Sequence, residues 1–190
     1  MKAVVIHATG GPEQLVLAEL PDPVPGAGEV LIDVAYAGCN WADTQVRMGI
    51  YPHPMTYPMV LGFEVSGTVA ALGPGVTGVE VGDRVATFPE KGGAYAEKCV
   101  AAASGLIKLP DGITLETAAA FPIQALTAYH MLWTIYGGIG PSDTVLVNAV
   151  GGGVGGDGDD DGRRFISGKA FKDQSLRNGF FREFEREEAW

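Results

Sequence analysis

The segment of this 190-residue chain best equipped by residue type to do chemistry is Ala149-Val150-Gly151-Gly152-Gly153-Val154-Gly155. It follows a short apolar run, Thr144 to Asn148, whose composition reads as a fully buried parallel strand. Small residues in a turn after a strand let the backbone approach a pyrophosphate, so Gly152, Gly153, Val154 and Gly155 are candidate cofactor-binding positions. A glycine turn in a chain with 28 Gly is as readily an ordinary loop, and the helix behind it must decide. That helix is missing from the pattern. Gly156-Asp157-Gly158-Asp159-Asp160-Asp161-Gly162 has poor helix propensity and sets four carboxylates where phosphate would sit.

Other reactive residue types carry less. Cys39 and Cys99 have neither the number nor the spacing of a disulfide framework or a metal cluster, and both read as core packing in a reducing compartment. His7, His53 and His130 stand apart from any Cys or acid pattern, so no metal ligand set is expected. With 13 Lys and Arg against 23 Asp and Glu the net charge is −10, which repels a phosphate backbone and argues against a nucleic-acid partner. The start lacks a basic head and a long apolar stretch, and the apolar region Thr117 to Tyr136 is broken by Pro122, Gln124 and His130. No export signal or membrane span is expected, and the cytoplasm is the default compartment.

The elements that must position such groups change character along the chain. Lys2 to His7 and Leu15 to Leu20 flank the Gly10-Gly11-Pro12 turn as a pair of short strands. After the proline-rich connector Pro21 to Pro25 comes the strongest strand, Val30 to Ala37, in which Val30, Ile32, Val34 and Tyr36 share one face. Phe63 to Leu72, Arg84 to Phe88 and Ala94 to Val100 complete a series suited to a closed or partly closed barrel. Beyond Pro110-Asp111-Gly112 the period becomes helical: Thr114 is placed to cap, and Pro122 suits the first turn of a helix running to about Tyr136. Charge then breaks abruptly, with 20 charged residues in the first 155 and 16 in the last 35.

The runs Tyr36-Ala37-Gly38-Cys39-Asn40-Trp41-Ala42-Asp43-Thr44, Arg47-Met48-Gly49-Ile50-Tyr51-Pro52, Gly62-Phe63-Glu64-Val65-Ser66-Gly67-Thr68-Val69, Gly82-Asp83-Arg84-Val85 and Gly93-Ala94-Tyr95-Ala96-Glu97 occur in this order. Together they resemble the zinc-independent quinone oxidoreductase (zeta-crystallin-like) branch of the medium-chain dehydrogenase/reductase superfamily, from Met1 to Gly155. The resemblance implies an α+β chain: a GroES-like, mostly-β barrel over 1–121, then the start of a Rossmann NADPH-binding domain over 122–155, with an unrelated charged tail over 156–190. It implies reduction of quinones or activated alkenes by hydride transfer from NADPH, in a cleft between the two domains.

The resemblance also assigns roles. Zinc-dependent relatives place metal ligands where this chain has Asn40, Phe63 and about Ile123, and two of those three side chains are hydrocarbon, so no metal is expected. Asn40 would lie near nicotinamide and substrate, its amide able to donate to a carbonyl or to orient ribose. Asp43, three residues on, reads both as a carboxylate at a helix N-terminus and as a functional group, so Asn40 and Asp43 are the catalytic candidates. Thr127 matches the threonine placed against the carboxamide of the cofactor. Gln45 stands where many relatives carry an aromatic hydroxyl, which leaves solvent to protonate the product.

A doubly wound domain needs several βαβ units of about 30 residues or more, and only 35 residues follow Gly155. The expectation is a truncated product whose uncovered apolar faces favour self-association, a homodimer included. The second reading is therefore a catalytically silent GroES-like fragment that self-associates or pairs with a complete relative.

Overall fold

In the computed structural model, residues 1–135, 137, 138 and 154 are described, together with the backbone of 144–147 and 164–167. They fall into two compact units, Met1–Ile123 and Gln124–Trp190.

The first unit is built from β-branched and small residues in two antiparallel sheets. β1 (Lys2–Ile6) pairs with β2 (Val16–Glu19) across a short 3₁₀ turn at Pro12–Gln14, and on its other side with β4 (Met59–Val60). The larger sheet has the order β7-β3-β5-β6-β8, formed by β3 (Glu29–Ala37), β5 (Val65–Leu72), β6 (Arg84–Thr87), β7 (Lys98–Ala102) and β8 (Ile107–Lys108). An Ala3–Ala96 bridge joins residues 94–97 to β1, while Tyr95 N–H donates to Leu61 O at 2.9 Å. That lacing places Tyr95 beside the segment that leads into β5. The outcome is a mostly-β domain with few helices, as expected, made of two laced sheets and not one continuous cylinder.

Burial follows alternation where the ladder is regular. Val30 and Ile32 are fully buried with Val69, Val85 and Ala101, forming one core cluster. The shared face fails at Tyr36, which is exposed because the β3–β5 register slips between Val34 and Tyr36 and the strand end turns outward. A second cluster of Ile6, Val46, Met59, Leu61 and Phe63 lies under the helix α1 (Trp41–Met48). Gly49, with φ of 76°, ends α1 in the left-handed conformation. The buried Arg47 guanidinium donates to Gly10 O, and Gly10 N–H donates to Arg47 O at 3.0 Å, tying α1 to the β1–β2 turn. Thr114 caps α2 (Leu115–Ala118) as expected, its hydroxyl accepting from Thr117 N–H at 3.1 Å.

The second unit begins with α3 (Gln124–Tyr129), which continues as a π-helix over His130–Ile135. The wider turn stacks Tyr129 on Trp133, with ring centroids 5.5 Å apart. β9 (Thr144–Val147) pairs antiparallel with β10 (Arg164–Ser167), whereas the sequence suggested a parallel strand. Its partner comes from the segment after the glycine loop. Among the described residues no helix is long and apolar enough to cross a membrane.

Candidate active site

The turn from β3 into α1 is where polar groups go into the core. Asn40 is the N-cap of α1, and with Asp43 it forms a capping box. Asn40 N–H donates to Asp43 Oδ2 at 2.8 Å, and Tyr95 Oη–H donates to the same oxygen at 2.5 Å. The Asn40 side chain turns the other way, its Nδ2 donating to Glu64 Oε2 at 2.9 Å. Glu64 Oε1 accepts from Ile123 N–H at 2.7 Å. Asp43 is 5% exposed and Glu64 0%. Asp43 Oδ1 is buried with no hydrogen-bond partner among the described residues.

Two buried carboxylates around one amide are costly, because burial disfavours charge and each lone pair needs a donor. Burial holds the Glu64 carboxyl above its ordinary range; the Ile123 N–H and the Asn40 amide oppose the rise, and the negative charge of Asp43 adds to it. The Tyr95 hydroxyl is pushed up from its usual value, first by burial and then by its bond to Asp43. A phenol so held is a poor proton donor.

The raised Glu64 pKa has a definite sign for stability. The folded state binds this proton more tightly than the unfolded chain, so the stability it contributes is fully present below the unfolded pKa and is lost as pH rises through the folded one. The melting temperature of Glu64→Gln relative to wild type should therefore climb as pH is raised from acidic to neutral. A difference that stays flat across that window would show that Glu64 titrates as an ordinary surface carboxylate.

The structure brings Asn40 and Asp43 together, as their spacing required. Thr127 lies exposed on α3, in the second unit. Val154 is exposed in a turn, and Gly152, Gly153 and Gly155 lie outside the described residues. Glu64 and Tyr95 are members of the site that sequence reasoning did not single out. A signal existed for Glu64, a lone carboxylate inside the apolar run Met59-Val60-Leu61-Gly62-Phe63-Glu64-Val65. None marked Tyr95. Phe63 and Ile123 pack in the cluster beneath α1, so two of the positions aligned with metal ligands offer hydrocarbon.

One expectation is corrected. Cys39 is exposed, not core, because it sits in the turn after the bulged end of β3. Cys99 is buried on β7, its thiol pushed up to about 12 by burial. An alkylating reagent should label one thiol per folded chain, at Cys39, and a second only after unfolding, as read by intact mass. Equal labelling of both in the folded state would contradict this burial pattern.

Comparison with known proteins places this geometry in a family. The alcohol dehydrogenase GroES-like domain model matches residues 26–111. A quinone oxidoreductase of Pseudomonas aeruginosa is 42% identical over 154 residues, which cover 81% of this chain and 47% of that protein. The mouse synaptic vesicle membrane protein VAT-1 homolog-like is 42% identical over 155 residues, 82% of this chain and 37% of that protein. Among solved structures, Escherichia coli quinone oxidoreductase complexed with NADPH superposes with a TM-score of 0.73 at 32% identity, covering 82% of this chain and 47% of that one. The chain thus spans less than half the length of these relatives. The matched sequence, the GroES-like domain and the hydrocarbon at Phe63 and Ile123 agree: this chain carries an alcohol dehydrogenase GroES-like domain and corresponds to the N-terminal portion of a zinc-independent medium-chain dehydrogenase/reductase.

Proposed function

We propose that this chain carries the acceptor-side half of an NADPH-dependent reductase of quinones or activated alkenes. The observation that carries the reading is the buried network in which Asp43, Glu64 and Tyr95 fix one half-buried amide, Asn40. Stability alone gives no reason to bury two carboxylates there, since well-packed apolar residues of similar volume are often as stable or more so. Preorganising a dipole against a developing charge does give a reason.

Within the first unit Asn40, a half-buried amide held by hydrogen bonds, has the donor chemistry for NADPH; within the second, Thr127, Gly152, Gly153, Val154 and Gly155 are the positions the resemblance assigns to it. When bound, it supplies the hydride. The chain's own work is to position. Asn40 donates to the carbonyl oxygen of the acceptor, where negative charge grows as the neighbouring carbon is reduced. Asp43 holds the Asn40 backbone. The hydroxyl of Tyr95 is committed to Asp43 and Gln45 has no acidic proton, so the proton that completes the product comes from solvent.

Titrating the full chain with NADPH while following cofactor fluorescence should show saturable binding in the micromolar range, and adding benzoquinone should consume the cofactor. Absence of saturation would remove the reductase reading for this chain.

A further inference from the structure

Glu64 stands out among the buried groups because its partners converge from distant parts of the first unit. Its Oε2 accepts from the Asn40 amide and its Oε1 from Ile123 N–H. It is fully buried and lies close against Gly38, where a methyl group would overlap Oε2 and come within 2.7 Å of Ala119 O. A carboxylate only accepts, so the edge of the Asn40 amide that faces it must be nitrogen. The capping box sets the complementary demand, because the first turn of α1 needs an oxygen from Asn40. The two requirements act on opposite ends of one amide and agree on a single orientation.

We propose that Glu64 is the positioning residue of the hydride-transfer site: through its bond to Asn40 Nδ2 it sets the polarity of that amide, and the reaction uses that polarity. This rests on the reductase reading above. Glu64 touches neither acceptor nor cofactor; it acts through Asn40. Glutamine at position 64 cannot replace it, because one of its two ends is a donor. Either Ile123 N–H or Asn40 Nδ2 would then face another N–H, unless the Asn40 amide turned over and withdrew its oxygen from α1.

Three variants of the full chain separate positioning from packing. Asn40→Asp sets a second carboxylate against Glu64. Glu64→Gln sets donor against donor. In Asn40→Asp/Glu64→Gln both bonds of position 64 are restored, the one to position 40 with its polarity reversed: the carboxylate introduced at position 40 keeps one oxygen for α1 and accepts with the other from the new amide, which still accepts from Ile123 N–H. The expected result is that the double variant melts above both single variants at neutral pH, yet its NADPH-dependent quinone turnover stays down about tenfold or more in kcat, with KM for NADPH changed less. In the amide region of nitrogen-15 spectra, the Asn40 side-chain pair should shift in Glu64→Gln.

Failure of the double variant to melt above the singles would overturn the pairing itself. Turnover regained along with stability would overturn the positioning role and leave Glu64 as packing. An active wild type whose Glu64→Gln variant keeps full kcat would overturn this inference alone. A wild type without NADPH binding or turnover would instead sink the reductase reading, and the positioning role with it, while the melting comparison would still decide the pairing.

Discussion

Replacing Phe63 by alanine is expected to destabilise the first unit by about 3–5 kcal/mol, the range for emptying a buried aromatic site. Phe63 is 5% exposed and packs with Ile6, Val46, Met59 and Leu61, a cluster drawn from β1, α1, β4 and the segment before β5. No single element can close that space, because the residues around it are held by different ladders. Its ring also meets His53 edge-on at 4.9 Å and stacks on Phe88 at 6.2 Å, so the loop carrying His53 loses its anchor as well. Denaturant titration followed by near-ultraviolet circular dichroism measures the loss. A change below about 1 kcal/mol would mean that the cluster collapses around the gap or admits water.

Gly38→Ala should destabilise for the opposite reason, overfilling. The new methyl carbon would overlap Glu64 Oε2 and lie 2.7 Å from Ala119 O, and neither neighbour is the loose end of a surface side chain. Overpacking of this kind costs about 1–3 kcal/mol, occasionally more. The upper end is expected, since relief requires moving either a helix-end carbonyl or a carboxylate whose two oxygens are already bonded. Gly38 N–H also donates to Glu64 O at 2.9 Å, so the backbone cannot shift without loss. Gly105→Ala is the control: its methyl would meet only Thr87 Oγ1, at an ordinary 3.7 Å. It should stay within about 0.5 kcal/mol of wild type. Equal melting of the two variants would show that the space around Gly38 is not closed.

Both variants probe contacts that the sequence did not display, although much else was legible in it. The alternation of Val30 and Ile32, the Thr114 cap, the turn at Gly10-Gly11-Pro12 and the mostly-β character of the first unit rest on interactions within a few residues. Such interactions leave a pattern along the chain. β4 and β8 left none, because a two-residue strand has no period and exists only where a neighbouring ladder recruits it.

The candidate site divides in the same way. The Asn40–Asp43 pair was readable, since a helix N-terminus brings residues three apart into hydrogen-bond range. Glu64 reaches Asn40 across 24 positions and Ile123 across 59, and Tyr95 reaches Asp43 across 52. Sheet register decides those meetings, and register is a collective result of every buried face in the unit. By itself, then, the sequence determined the longer strands β1, β2, β3, β5 and β6, the helix start that brings Asn40 and Asp43 together, and which family the chain resembles. Only the tertiary structure decided which carboxylate faces which amide, that Cys39 looks outward and that Tyr36 leaves the core, because those outcomes depend on contacts between segments that carry no local trace of one another.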